Sequence, residues 1–213
     1  GYVMRVPVGV VAAISPFNFP LNLVCHKIAP AVAAGCPVVL KPASATPLTA
    51  LRIARLFEEA GLPPGWLNVI TCGGSVANHL VEHPDVAMIT FTGSPEVGWG
   101  IRARAARKRV GLELGNNAPV ILEPSADIAT AAAKIAVGGY AFAGQSCISV
   151  QRAYVHRSIH DEFVVALAEK VAALEVGDPM APATNVSVLI SPKETERVAG
   201  WLDEAVADGA GIV

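Results

Sequence analysis

Apolar and polar positions fall along this chain in short blocks, and the block lengths predict strands separated by helices. Val6 to Ile14 is apolar and rich in β-branched residues, with Gly9 inside it, which predicts a buried strand. Ser15-Pro16-Phe17-Asn18-Phe19-Pro20 then forces a loop, because two prolines so close together fix the backbone and remove donors. From Pro20 towards Gly35 the pattern predicts a helix, apolar almost all round and so buried. Pro37 to Lys41 is the next short strand. Thr46 is expected to cap a helix that Pro47 opens and Gly61 closes, with Leu48, Leu51, Ala54, Leu56 and Phe57 over its inner side.

The alternation continues with Leu67 to Thr71 as strand, Ser75 to His83 as helix and Val86 to Phe91 as strand. Ser94 caps the next helix, with Pro95 in its first position. Strands separated by helices at this rhythm predict an α/β fold with a doubly wound, mainly parallel, Rossmann-like sheet. Such a sheet binds ligands at the carboxyl ends of its strands, which puts Asn18, Lys41, Gly73 and Ser94 at one rim. Gly111 to Gly115 reads as a short strand-like link and Asn116 to Leu122 as another strand. A lobe boundary is expected there, giving residues 1–113 and 114–213, because the pattern then restarts: helix Asp127 to Phe142, the turn to Cys147, strand Arg152 to His156 and a further helix. Ser158 with Asp161, and Ser191 with Glu194, read as capping boxes, and Gly177 to Ala183 as a loop.

Composition narrows the function classes. Charged residues make up 16% and apolar ones 53%, so this is a chain that buries unusual amounts of surface or belongs to something larger. Its start at Gly1 without methionine, and its strand-like end at Val213, favour the second. A net charge of -2 with scattered basic residues excludes nucleic acid as the expected partner; Arg102 to Arg109, the densest basic run, reads as a solvated helix face. Cysteines 25, 36, 72 and 147 have neither C-x-x-C spacing nor a histidine pattern suited to zinc, so no metal is expected and a reducing, cytoplasmic compartment is. Pro16, Asn18, Pro20 and Asn22 interrupt the uncharged run between Arg5 and Lys27 too often for a membrane-spanning helix.

Candidate chemistry centres on Gly144-Gln145-Ser146-Cys147. Read alone, that turn favours an inert packing cysteine over a nucleophile, so its partners decide. A catalytic thiol needs an oxyanion site and something to finish the reaction. The backbone N–H groups of residues 144–147 suit a developing oxyanion. Asn18, in a proline-bracketed loop at a strand end, is either a turn former or an aimed amide. Glu113, between uncharged neighbours, is either a surface carboxylate or a partly desolvated general base. No G-x-G-x-x-G follows the first strand, but Gly73-Gly74 and Gly93-Ser94 offer helix N-termini for a pyrophosphate. Lys41 suits a ribose or a phosphate, whereas Gly98 and Gly100 suit close helix packing. Histidines 26, 79, 83, 156 and 160 fall in no nucleophile–base arrangement and read as structural.

Together the motifs are more specific. Pro16-Phe17-Asn18-Phe19-Pro20, Lys41-Pro42-Ala43-Ser44, Gly61-Leu62-Pro63-Pro64-Gly65 with Asn68, Phe91-Thr92-Gly93-Ser94, Leu112-Glu113-Leu114-Gly115 and Gly144-Gln145-Ser146-Cys147 resemble, in order, the motifs of the aldehyde dehydrogenase superfamily, from Arg5 to at least Ile190. The resemblance implies an oxidoreductase that takes an aldehyde to a carboxylic acid with NAD or NADP. Cys147 is then the nucleophile that forms a thiohemiacetal and later a thioester; Asn18 and the Cys147 amide form its oxyanion hole, and Glu113 activates water. It also implies cofactor contacts from Ile14, Pro16, Phe17, Lys41, Ser44, Gly73, Phe91, Gly93, Ser94, Val97 and Leu114. The first lobe becomes the NAD(P)-binding lobe and the second part of a catalytic lobe, in a parent protein that is a homodimer or homotetramer.

Two departures stand out. Ser44 occupies a position where the family often has a glutamate that repels a ribose phosphate, so NADP is expected to be tolerated or preferred. Asn116-Asn117 replaces the usual glycine-lysine and resembles a branch with lactaldehyde-type dehydrogenases. Family members are more than twice this long, so an isolated chain of this length is expected to be poorly active and prone to associate. The rival readings are a non-redox thiol hydrolase or acyltransferase, which lacks a histidine partner, a CoA-acylating relative, disfavoured by Glu113, and a non-catalytic fragment.

Overall fold

The computed structural model describes residues 1–213, which divide into two compact units, Gly1–Gly115 and Asn116–Val213. The first holds five strands, β1 (Val10–Ile14), β2 (Val38–Lys41), β3 (Leu67–Val69), β4 (Val86–Thr92) and β5 (Arg109–Glu113). All pair in parallel in the order β3-β2-β1-β4-β5. The chain leaves β1 for β2 and β3 on one side, then returns to β4 and β5 on the other. The reversal falls between β1 and β4, and doubly wound sheets bind ligands beyond the carboxyl ends of the strands at such a point.

Strand alternation divides the core in two. Val11 and Ala13 face one side, where they meet Val24 and Ile28 of α1 (Asn22–Ala33) and Ala50 and Ile53 of α2 (Leu48–Glu59). Ala12 and Ile14 face the other, with Val81 of α3 (Gly74–Glu82) and Ile101 of α4 (Pro95–Arg104). Both faces of the sheet are thus covered, as its near-continuous apolar strands require.

Several local expectations are corrected. The first strand starts at Val10 rather than Val6, because Gly9 takes a φ of 110° and the ladder to β4 shifts register between Val10 and Val11. Helix α1 is not buried all round: only Val24, Lys27 and Ile28 are enclosed. In α2 the inner face is Ala50 and Ile53, while Leu48, Leu51 and Leu56 are exposed; the small alanine lets the helix lie close to the sheet. Thr46 does not cap α2. Its hydroxyl donates instead to the Phe17 carbonyl at 3.0 Å, tying the Pro16–Pro20 loop to the start of that helix. Ser94 does cap α4, accepting from the Val97 N–H at 3.4 Å with Pro95 next to it.

In the second unit β6 (Pro119–Leu122) and β7 (Arg152–Val155) form a parallel pair. Helix α5 (Ile128–Tyr140) is capped by Asp127, whose carboxylate accepts from the Thr130 N–H at 3.0 Å. It packs through Ala132 and Ile135 on Leu122 and on Phe163 of α6 (His160–Ala172). Ser158 and Asp161 do not make the expected box, since the His156 ring caps a short turn at Arg157–Ile159 and Asp161 pairs with His160. Ser191 does cap α7 (Pro192–Ala207) by accepting from Glu194 N–H, but the Glu194 carboxylate turns to Arg197. No helix is long and apolar enough to cross a membrane.

Candidate active site

Within the first unit the sheet collects most of the named residues at its carboxyl edge. β1 ends at Ile14, and Ser15 to Phe19 form the loop beyond it; β2 ends at Lys41, β4 at Thr92 and β5 at Glu113. Asn18 is buried in its loop, and the next residue, Phe19, sits at φ 45°, in the left-handed region that side chains with a Cβ disfavour. The Ser15 N–H donates to the Lys41 carbonyl at 3.2 Å, which continues the β1–β2 ladder one step past the strand. Lys41 is itself buried, and the Ser15 hydroxyl is enclosed with no partner. Ser44 is exposed beyond Lys41, its hydroxyl donating to the Cys72 carbonyl at 3.1 Å.

The two glycine-led helix starts differ. Gly73 caps α3 without a side chain and has open space around it. Gly93 is forced: a Cβ there would stand 2.5 Å from Phe91 Cζ, and its N–H donates to the Glu113 carbonyl at 3.0 Å. The Phe91 ring is therefore core, and it supports the Gly93 backbone from below. Gly98 also meets Phe91, and a Cβ there would meet Leu114 Cδ2 at 2.5 Å. Gly100 has nothing closer than 3.9 Å, so the expectation that it permits close packing is corrected. Val97 is half-exposed on the first turn of α4.

Glu113 is paired in register with Thr92, so the two side chains leave the sheet on the same face. Its carboxylate is exposed rather than partly desolvated, because its apolar neighbours Leu112 and Leu114 lean into the core on the other face. On the Glu113 face lies a residue that the sequence pattern missed. Lys27 of α1 is 5% exposed, and its Nζ donates to Thr92 Oγ1 at 2.7 Å and to Thr90 Oγ1 at 3.3 Å. Burial pushes the ammonium down from 10.5 to about 8, and the Glu113 carboxylate pulls it partly back. The one available signal was a lone lysine among the apolar positions of α1, between Val24 and Ile28.

Cys147 belongs to the second unit. Helix α5 ends at Tyr140, two residues earlier than the pattern suggested, because Phe142 and Ala143 both adopt φ 55°, ψ 35° and Gly144 follows at φ 71°. Three successive left-handed residues throw the chain out of the helix axis. The thiol of Cys147 ends up exposed, unlike those of Cys25, Cys36 and Cys72, and no cysteine is paired. No group of three or more histidine, cysteine or carboxylate side chains is arranged to hold a metal ion.

The model of the aldehyde dehydrogenase family matches residues 1–213. The chain belongs to the aldehyde dehydrogenase family. It is 53% identical over 212 residues to the 3-sulfolactaldehyde dehydrogenase of Priestia megaterium, covering 99% of this chain and 44% of that protein. Among solved structures, a 3,6-anhydro-L-galactose dehydrogenase in complex with NADP superposes with a TM-score of 0.95 at 41% identity, over 98% of this chain and 44% of that one. The betaine aldehyde dehydrogenase of Staphylococcus aureus, in complex with NAD+, gives 0.94 at 39% identity, over 97% and 42%. The chain thus spans less than half the length of these relatives. The α/β, mainly parallel architecture of the aldehyde dehydrogenases is the one found here.

Proposed function

We propose that the protein oxidises an aldehyde to a carboxylic acid with NAD(P)+, with Cys147 as the nucleophile. The observation that carries this reading is an exposed thiol on a backbone-strained turn, in a chain that matches the family over all its residues. The Cys147 thiolate attacks the aldehyde carbon and gives a thiohemiacetal; Asn18, from the first unit, and the Cys147 amide stabilise the oxyanion. NAD(P)+, when bound, accepts the hydride that turns the thiohemiacetal into a thioester. Glu113 then takes a proton from water, which attacks the thioester, releasing the acid and freeing the thiol. Exposure keeps the Glu113 carboxylate in contact with water.

The first unit fits a dinucleotide on its own features. The open edge at Gly73 and the backbone of Gly93 and Ser94 offer N–H groups at helix starts for a pyrophosphate. Lys41 at the end of β2 and Ser44 beyond it serve the ribose, and Ile14, Pro16, Phe17, Val97 and Leu114 supply apolar walls. Residues 1–113 then serve as the cofactor lobe and 114–213 as the catalytic lobe. Ser44 is neutral and its hydroxyl is directed to a carbonyl, so nothing at that position repels a ribose phosphate. The ratio of kcat/KM for NADP+ to that for NAD+ is expected to be near or above one in the wild type and to fall at least tenfold, about 1.4 kcal/mol, in Ser44→Glu. A strong wild-type preference for NAD+ would count against this.

Unpaired cysteines fit a reducing, cytoplasmic setting, and the exposed apolar surface fits a homodimer or homotetramer. The deciding experiment is NAD(P)H formation by the full-length protein with a panel headed by 3-sulfolactaldehyde and lactaldehyde. Cys147→Ala should abolish it. Glu113→Gln should keep a first burst of NAD(P)H and lose steady turnover; undiminished turnover would show that Glu113 is not the base.

A further inference from the structure

The left-handed turn before Cys147 needs an explanation, because Phe142 and Ala143 both carry a Cβ that this conformation crowds. Such geometry persists only where the surroundings over-determine it. The turn's own backbone offers two short-range bonds, Gln145 N–H to the Phe142 carbonyl at 3.1 Å and Ser146 N–H to the Gly144 carbonyl at 2.9 Å. Longer-range support comes from the Gln145 side chain. Gln145 Nε2 donates to the same Phe142 carbonyl at 3.1 Å and to the Val188 carbonyl at 3.4 Å, while its Oε1 accepts from the Ile190 N–H at 2.9 Å.

The far end of this bridge is itself anchored. Residues 175–186 are bonded to one another, with Gly177 N–H on the Val186 carbonyl, Val186 N–H on the Glu175 carbonyl, and the Asn185 side chain accepting from Glu175 N–H at 2.9 Å. Ile190 then runs straight into the Ser191 cap of α7. A side-chain amide is the one uncharged group that both donates to two carbonyls and accepts from an N–H at this spot. Glutamate would keep the acceptor and set a charge against the two carbonyls; alanine would lose everything.

We propose that Gln145 is a positioning residue for the nucleophile: it locks the Phe142–Gly144 turn to the Val188–Ile190 strap and so fixes the direction of the Cys147 thiol and amide. This rests on the reading of Cys147 as the nucleophile. A misplacement near 1 Å is enough to cost about 100-fold in rate. In the full-length protein, Gln145→Ala and Gln145→Glu should slow the first burst of NAD(P)H by roughly 10- to 100-fold, with the dissociation constant for NAD(P)+ unchanged within about twofold. Ala143→Gly, placed in the Gln145→Ala background, should restore part of the burst, because glycine adopts the left-handed conformation without the Cβ penalty. Hydrogen exchange in residues 141–149 should quicken in Gln145→Ala whatever the activity. A burst rate within twofold of wild type, or exchange unchanged in that segment, would overturn the proposal. So would a loss that Ala143→Gly leaves untouched and that comes with weakened cofactor binding. If the wild type oxidises no aldehyde, the functional reading fails, and the exchange measurement still decides whether Gln145 holds the turn.

Discussion

Lys27 is charged below its shifted pKa and neutral above it, and that shift has a definite consequence for stability. Its folded value is about 8 against 10.5 for the free side chain. Below pH 8 both folded and unfolded chains carry the proton and the full cost of burying the charge is present. Between about 8 and 10.5 the unfolded chain binds more protons, so stability should rise with pH, by at most ~1.4 kcal/mol per unit from this one group. Denaturant unfolding across that window checks it: the rise should flatten in Lys27→Met. Glu113→Gln removes the attraction that raises the lysine's pKa, so there the rise should begin at lower pH. Cys147, Asn18 and Glu113 could be put forward from the sequence because each lies in a short motif that resembles one of the family's. Lys27 was not, since Thr90 and Thr92 lie 63 and 65 residues away and no local pattern joins them.

Helix starts and strand ends carry the next level of control. Ser94 and Ser191 were legible as caps because an N-cap interacts within its own turn. Thr46 was not, since the Phe17 carbonyl, 29 residues distant, won its hydroxyl; likewise the inner face of α2 is set by how closely Ala50 lets the helix approach. Around α4 two glycines should respond oppositely. Gly93→Ala drives a Cβ into the buried end of the Phe91 ring and should destabilise by about 1–3 kcal/mol. Gly100→Ala meets open space inside a helix and should stabilise by up to about 1 kcal/mol. Thermal unfolding of both variants distinguishes these signs, and a stable Gly93→Ala would mean that the ring is free to move.

The accessible surface of the whole chain is 13675 Å², against roughly 11000 Å² for two separate compact bodies of the same combined mass. The excess includes Trp99 on α4, Ile121 and Tyr154 on the β6–β7 pair, and Trp201 and Leu202 on α7. A two-stranded pair with exposed apolar residues is a poor isolated element. These 213 residues expressed alone should therefore sediment as concentration-dependent oligomers and turn over aldehyde poorly, whereas a clean monomer would contradict that. The low charge content made the surplus apolar surface legible in the sequence; which residues carry it depended on the fold.

The order β3-β2-β1-β4-β5 has a further consequence, for the chain's birth. Of these five strands the first along the chain lies in the middle of the sheet, and Val10 waits for Val86 to be made before its second edge is covered. At ribosomal speeds of roughly 5–20 residues per second, that is a wait on the order of 4–15 s. During it β1, β2 and β3 can assemble, but the nascent sheet presents the bare edge of Val10–Ile14, apolar throughout, as a template for any other strand. The carboxyl edge that carries Asn18 and Lys41 is thus built on a strand open to mispairing while the protein is being synthesised, and that burden falls on chaperones rather than on the finished fold.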